Sequence, residues 1–450
     1  MRNPTGESPE IDTGEVNRME RIKIGVIGGG AAGMMAAITA AGEGAAVTLL
    51  EGGERVGKKI LSTGNGKCNF GNLQLGPENY CGAAEEWVRD CLDRFGSRDS
   101  MLFFQRIGLM VKEKNGYLYP MAEQAAVVLD VLRTELRACG VELITECKVE
   151  EVHKAEANKA EKPGFEVRAG KRTFHFDRII LACGSQAAPK TGSDGSGYGL
   201  ARSLGHKIVP VVPALVQLRC EEPYLKEVAG VRTEAAIRIL PRDKDMGTEP
   251  IYERGELQLV DYGISGIPVF QLSRKVNYML RELENFPPNF SQNLSRKNSQ
   301  VEISIDLLPD YDGEDFARLC AGRKLLLPER TVEEFFTGML NKKLMHLFIK
   351  LAEIKRDMPV AELGEEKLSA VFALCKDWRL HVTGSNSFDS AQVCAGGVDT
   401  REVSRDMESL LVPGVYFAGE ILDVDGRCGG YNLHWAWCSG YLAGRSSARV

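Results

Sequence analysis

The first strong pattern along the chain is a short β-branched run at residues 22–27, Ile-Lys-Ile-Gly-Val-Ile, long enough for one buried parallel strand. It stops at a cluster of glycines. A helical period follows over about 31–41, and a second apolar run at 46–50 closes on Glu51. Further on, 85–95 and 99–107 carry amphipathic helical spacing, and Asn115-Gly116 marks a hairpin. Residues 124–139 form a strongly periodic helix that ends at Gly140. Short strands are expected within 141–152 and 165–176, around the polar loop AEANKAEKPG. Another buried parallel strand, 178–184, runs into the polar, glycine-rich loop SQAAPKTGSDGSGYG. From about 206 to 305 the pattern changes to short strands broken by Pro and Gly, as in an antiparallel or barrel-like domain. Residues 284–300 read as a polar loop. Residues 312–371 are helical and charged with no strand signal. The α/β style returns with apolar runs at 393–398 and 415–418 and a helix from Asn432 to the end.

The predicted fold class is therefore α/β: a split Rossmann-like dinucleotide domain (21–205 and 376–450) with an inserted antiparallel β-barrel-like domain (206–310 and 367–375) and a helical subdomain (311–366). Residues 1–20 read as a disordered tail, with Met19 an alternative start; they have neither the basic nor the apolar segment of a signal peptide.

The chemistry begins at the glycine cluster. Gly28, Gly30 and Gly33 satisfy G-x-G-x-x-G between a strand and a helix, with Ala31 and Ala32 in the first helical turn. The first glycine permits a tight turn, the second lets backbone approach a pyrophosphate, and the third allows close helix–strand packing. Free N–H groups and the positive dipole end of the helix suit phosphate. Glu51, eighteen residues after Gly33, is placed to accept from a ribose diol, which favours FAD or NAD over NADP. Alone, such a glycine pattern is weak; the strand, helix and acidic strand end around it make it specific. A second fingerprint is missing: Gly192, Gly195 and Gly197 have the wrong spacing and no strand just before them. If the fingerprint holds FAD, a pyridine nucleotide would have no dedicated site and would have to reach the flavin from an improvised surface.

Composition narrows the class. A net charge of −6 without a basic block gives no reason to expect nucleic acid as a partner. The most apolar stretch is the glycine-rich opening motif, so no membrane span is expected. The twelve cysteines are scattered, without a C-x-x-C, and the six histidines show no ligand spacing. A reducing cytoplasm and no catalytic metal are the expectation.

The blocks GVIGGGAAGMMAA, RVGKKILSTGNGKCN, DYGISG, AGGVDT and YFAGEILDVDGRCGGYNLHWAW, in that order over about 22–446, resemble the BaiN/YhiN-like family of FAD flavoproteins. Its members are described as aminoacetone oxidases, bile-acid dehydro-reductases or NAD(P)/FAD-dependent oxidoreductases. The resemblance implies an FAD domain built from both chain ends, with Glu51 on the adenosine ribose. It implies further cofactor contacts from Gly57, Lys58, Lys59, Thr63, Gly64, Asn65, Gly66, Lys67, Cys68 and Asn69, and from Val149, Cys183 and Gly184. On the C-terminal side it implies Gly419 and Glu420 below the pyrophosphate and ribityl chain, with Asp425. Gly429, Gly430, Tyr431, Asn432 and Leu433 would then start a helix near the isoalloxazine. His434, Arg427-Cys428 and Cys183-Gly184-Ser185 depart from what many relatives carry, which bears on the substrate rather than on the cofactor.

The activity implied is FAD-dependent, NAD(P)H-driven reduction of an enone such as a 3-oxo-Δ4 or Δ6 steroid, an apolar small molecule. Such a reaction needs donors at the carbonyl and a proton for the α-carbon. His434, Tyr431, Arg427 and Tyr262 are the candidates. Each has a plainer alternative: ring packing, helix packing, barrel core or a solvated cation. Two other functions stay open, an aminoacetone-type amine oxidase and a non-catalytic or RNA-modifying flavin-binding protein.

Overall fold

The computed structural model describes residues 21–155, 164–241, 251–284 and 300–449. The predicted tail 1–20, residues 156–163 of the AEANKAEKPG loop and nearly all of the 284–300 loop lie outside the described residues.

The apolar run becomes strand β1 (Lys23–Ile27), the period becomes helix α1 (Ala31–Gly42), and the second run becomes β2 (Ala46–Leu50). β1 pairs in parallel with β2 on one side and with Arg178–Leu181 on the other. Val415–Phe417 and Glu142–Ile144 add the two edges of a five-stranded parallel sheet. Buried on both faces, its strands need continuous apolar runs, which is why they were legible. The terminal helix Tyr431–Ala448 packs directly on α1. Gly440 and Gly444 permit this: a Cβ there would lie 2.5 Å from Ala32 O and 2.4 Å from Ala36 O.

The insertion is a closed six-stranded antiparallel barrel, in the order Leu218–Cys220, Gly263–Gly266, Tyr252–Val260, Arg232–Ile239, Val301–Asp306, Trp378–Ser385. Its apolar interior is continuous with the helical subdomain, where Phe335, Phe336 and Phe348 join Trp378 in one core. A separate antiparallel ribbon, Ile208–Ala214 with Val393–Val398, links barrel and parallel sheet.

The structure corrects several boundaries. Trp378–Ser385, assigned by its position after residue 376 to the dinucleotide domain, closes the barrel. Residues 367–375, assigned to the β-rich insertion, lie in the helix Glu365–Lys376. The insertion also holds an 18-residue helix, Ile267–Glu284, where short strands were expected. Pro268 sits in its first turn, where proline suits a helix start, and Val269, Leu272 and Val276 bury its inner face. The loop after residue 184 contains the helix Ser196–Ser203, opened by left-handed Gly195 and by Asp194 accepting from Ser196 N–H at 3.0 Å. The 141–152 and 165–176 stretches each divide, the latter into a hairpin about Gly170.

Candidate functional site

The three glycines separate by what surrounds them. A Cβ on Gly33 would sit 1.8 Å from Gly28 O, and one on Gly28 (φ +105°) 2.5 Å from Ala182 O. Those two are required by the protein itself. Around Gly30, at φ −77°, no atom beyond its own chain neighbours and helix backbone lies within 4 Å of a Cβ position. Gly30 is also the N-cap of α1 and offers no side-chain cap; the first helical bond is Met34 N–H to Gly30 O at 3.0 Å. The first turn of α1 is thus uncapped by any side chain, and the surrounding segments leave the position of a Gly30 Cβ clear. This is a cradle for phosphate.

Glu51 ends β2 with its carboxylate fixed, Oε2 accepting from Gly29 N–H at 2.8 Å and Oε1 from Gly53 N–H at 2.7 Å. Its second lone pairs remain for a ribose diol. Cys147 N–H donates to Glu51 O at 2.8 Å, which brings buried Val149 to the same end. Gly57 N–H donates to Gly29 O at 2.9 Å, folding the 52–57 loop back over the glycine turn. Lys58 is exposed. A Cβ added at Gly53 would lie 3.5 Å from its Nζ and 3.1 Å from Glu51 Oε1, so the ammonium lies on the Glu51 side of this loop.

Residues 58–66 make a tight helical turn with a kink, Thr63 extended and Gly64 and Asn65 left-handed. Lys59 Nζ reaches Glu420 Oε2 at 2.6 Å, and Ser185 Oγ donates to the same oxygen at 2.9 Å. Three distant segments thus meet at one carboxylate. Gly66 and Lys67 are exposed, Lys67 pairing with Glu123 at 3.1 Å, and the Cys68 thiol is buried and pushed up to about 11. The Asn69 amide donates to Gly71 O (2.8 Å) and Leu118 O (3.2 Å).

Gly419 lies against α1, where a Cβ would come 2.7 Å from that of Ala32, and its N–H donates to Ser439 Oγ of the terminal helix at 2.8 Å. Gly430 caps that helix at φ +91°, so close to segment 69–71 that a Cβ would lie 2.6 Å from Gly71 O. Gly429 O accepts from Asn72 Nδ2 at 3.1 Å. Residues 69–72 and 429–430 are thus in direct contact, while the first turn of α1 meets the terminal helix at Gly440. Cys183, with its thiol pushed up to about 12 by burial, and left-handed Gly184 line the parallel-sheet side.

The candidate reactive residues fall into different places. Asn432 is spent on structure, its Oδ1 accepting from Gly426 N–H (2.8 Å) and its Nδ2 donating to Gly426 O (2.7 Å). Arg427 is half-buried and pairs with Glu253 of the barrel at 2.6 Å. Tyr431 packs edge-on to Tyr80, and burial raises its hydroxyl above the ordinary value. Leu433 is part-buried beside it. Tyr262 lies at the barrel mouth, its hydroxyl accepting from Asn386 Nδ2 at 2.8 Å. His434 departs from expectation. It is fully buried, lies 3.2 Å from Phe95 O through Nε2, and desolvation brings it down to about 4. Its ring is enclosed in the protein core, so the plainer alternative of helix packing describes it.

Several participants had no signal in the sequence. Arg274 of the helix Ile267–Glu284 donates through Nε to Asp425 Oδ1 at 2.9 Å, 151 residues away. Burial pushes Asp425 up to about 6 against the pull of that guanidinium. Asp423 is likewise raised by burial, with Gly396 N–H donating to it at 3.0 Å. Gln271 Oε1 accepts from Cys428 N–H at 3.2 Å. Together with Arg427–Glu253, these contacts hold the barrel on the 425–428 segment. Beside them Phe270, Tyr278 and Cys428 pack on Val212, Leu215 and Val393 as an apolar seam. Among the described residues no three His, Cys, Asp or Glu side chains are grouped to hold a metal, and no helix is long and apolar enough to cross a membrane.

A parallel sheet whose glycine turn, acidic strand end and returning C-terminal segment enclose one cradle, with a barrel set against it, is a Rossmann-type FAD-binding fold. The chain belongs to the family described as HI0933-like protein Rossmann domain, which matches residues 22–446. It is 43% identical, over 95% of its length and 99% of the relative's, to the 3-dehydro-bile acid delta(4,6)-reductase of Clostridium scindens. It is 31% identical to the ribosomal RNA dihydrouridine synthase of Escherichia coli, over 94% of its length and 97% of the relative's. The 3-ketosteroid-delta4-(5alpha)-dehydrogenase structure from Rhodococcus jostii aligns at 17% identity over 97% of this chain and 99% of that one, with a TM-score of 0.46, too low to carry functional weight. The family and the split α/β fold with a barrel insertion are those expected from the sequence.

Proposed function

We propose that this protein is an FAD-dependent ene-reductase whose substrate is an apolar 3-oxo-Δ4 or Δ4,6 steroid of the bile-acid type, with NAD(P)H as transient electron source. The observation carrying this reading is 43% identity along almost the whole chain to a bile-acid reductase, against 31% to a ribosomal RNA enzyme. The apolar seam at the barrel junction and the absence of a basic block agree with it. The twelve free thiols suit the reducing cytoplasm.

The cradle at Gly30, the fixed Glu51 carboxylate and the helix N-termini fit FAD. Bound there, FAD would supply the hydride that adds to the β-carbon of the enone. The protein's own contribution is positional and protic. Arg427, with one arm on Glu253, keeps N–H groups for the substrate carbonyl oxygen, where negative charge develops. Tyr431, a phenol that burial raises further above its ordinary value, holds the proton for the α-carbon. Tyr262, whose hydroxyl oxygen accepts from Asn386, can donate its O–H as a second donor at the barrel mouth. Gly28, Gly30, Gly33, Glu51 and Gly419 bind and orient the dinucleotide, and Lys59, Ser185 and Glu420 tie together the segments around it.

A second reading has one specific support, the two relatives named as ribosomal RNA dihydrouridine synthases. The chemistry is of one kind, because the uracil C5=C6 bond is also conjugated to a carbonyl. The test is anaerobic mixing of the flavin-loaded protein with NADH or NADPH, then with a 3-oxo-Δ4,6 steroid acid, with unmodified ribosomal RNA, or with air. Fast bleaching and fast recovery with the steroid alone are expected. Recovery with RNA alone would make the protein an RNA reductase. Bleaching by aminoacetone with rapid recovery in air would make it an oxidase.

A further inference from the structure

Beside the cofactor cradle is a surface groove that none of the assigned roles uses. One wall is the helix Ser196–Ser203, which presents Tyr198 and Arg202 one turn apart. The floor is the ribbon at 208–211, and the far wall carries Arg281 from the helix Ile267–Glu284. Neither guanidinium has an acidic partner among the described residues, and both are exposed. The single carboxylate in the lining, Asp194, is already paired with Lys148 at 2.6 Å. A chain with net charge −6 has here a small region of uncompensated positive charge.

Tyr278, one turn before Arg281, donates its hydroxyl to Pro210 O of the floor at 3.2 Å. The same side chain belongs to the apolar seam that includes Cys428, and its ring is covered by Arg274 at 5.1 Å. Tyr198 is 4% exposed, and its hydroxyl has no partner. Close enough to perturb that hydroxyl are Tyr278, Asp423 and Glu420, the last two from the segment that leads to the cofactor region. A buried donor without a partner thus belongs to the groove's lining.

We infer that this groove is the subsite for the anionic end of the substrate: Arg202 and Arg281 bind the side-chain carboxylate of a steroid acid whose apolar body lies along the Tyr278–Cys428 seam. The inference rests on the steroid reading above and adds the feature that selects an acid over a neutral steroid. Two guanidiniums present more N–H donors than one carboxylate can fill. Nothing covalent happens at the subsite; its role is specificity.

The test uses flavin-loaded protein and two probes that differ only in charge, 3-oxochol-4-en-24-oic acid and its methyl ester. Dissociation constants come from equilibrium dialysis for wild type and for the double variant Arg202→Ala/Arg281→Ala. Wild type is expected to prefer the acid by on the order of tenfold. The double variant should bind acid and ester alike, with ester affinity and flavin content unchanged, and the wild-type preference should shrink in high salt. Equal binding of acid and ester by wild type, or a preference that survives in the double variant, overturns the subsite while leaving the steroid reading in place. Binding of neither probe overturns both.

Discussion

Gly30→Val offers a direct check on the cradle, because structure and cofactor make opposite demands at that position. Gly30 has φ −77° and ψ −168°, which valine adopts without strain, and no atom from outside its own turn lies within 4 Å of the added Cβ. The cost to the apoprotein is that of a poorer helix N-cap, about 1 kcal/mol or less. The cost to the holoprotein is steric, since the isopropyl group fills the space the helix N-terminus holds for phosphate. If FAD is normally present at 100 times its dissociation constant, its loss also removes about 2.7 kcal/mol of ligand-linked stability. Gly33→Ala is the contrasting variant. Its methyl carbon would sit 1.8 Å from Gly28 O, so the turn must move at a cost of about 1–3 kcal/mol before any ligand is considered.

The assay pairs the ratio of flavin to protein absorbance after purification with the thermal midpoint of flavin-stripped samples. Gly30→Val should be colourless, with an apoprotein midpoint close to wild type. Gly33→Ala should lower the apoprotein midpoint as well. Yellow Gly30→Val protein with a full complement of flavin would refute the cradle. A Gly30→Val apoprotein as damaged as Gly33→Ala would show that the space around Gly30 is not open.

Three further outcomes are expected. Gly440→Leu should separate the terminal helix from α1, because Ala32 O lies 2.5 Å from the new Cβ; a midpoint drop equivalent to about 1–3 kcal/mol, together with weakened flavin retention, would be read by thermal melts and absorbance. His434 sits at about 4 when folded against about 6.5 unfolded, so between those values the unfolded chain binds the extra proton and stability falls on acidification. His434→Gln should flatten the pH dependence of the urea midpoint between pH 6.5 and 5, a difference of about 2 kcal/mol, and an unchanged slope would contradict the assignment. Arg274→Met leaves Asp425 buried without its cation; a loss of about 2–3 kcal/mol is expected, under the range for a fully dry pair because Arg274 is a quarter exposed, and Arg274→Met/Asp425→Leu should recover most of it.

The features legible in the sequence share a physical cause: each is encoded locally. β1, α1 and β2 are short apolar runs of fixed period around a glycine turn, and Glu51 lies at a fixed offset from them. The terminal helix and its Gly429-Gly430 start are read the same way. The helix Ile267–Glu284 was missed although Val269, Leu272 and Val276 mark its buried face, because Pro and Gly in the preceding strands suggested that strands continued. The barrel's closing strand, Trp378–Ser385, is defined only by partners about 80 and 160 residues earlier, Val301–Asp306 and Leu218–Cys220. Within the site, Arg274–Asp425 and Lys59–Glu420 are separated by 151 and 361 residues, and no local pattern reports such a pair. His434 shows the converse error. It lies in the first turn of the terminal helix, yet on a helix one residue's step turns a side chain about 100° away, here into the Phe95 core.

The arrangement also gives a reason for splitting one dinucleotide domain across the whole chain. The cradle comes from the first thirty described positions and is complete only when Gly419 slots against Ala32 and the terminal helix crosses α1 on Gly440 and Gly444. The barrel lies between these segments in sequence and is tied to the segment just before the terminal helix by Arg274–Asp425, Arg427–Glu253 and Gln271–Cys428. A displacement of the barrel therefore pulls on residues 425–428, and through Gly429 and Gly430 on the helix start beside Asn69–Gly71. Barrel position and the geometry of the helix terminus are coupled through one six-residue segment. On that basis, breaking Arg427–Glu253 with Glu253→Gln should disturb the visible spectrum of bound flavin as well as turnover, although Glu253 belongs to the barrel. An unchanged spectrum with normal kinetics would show that the two domains are held together without being coupled.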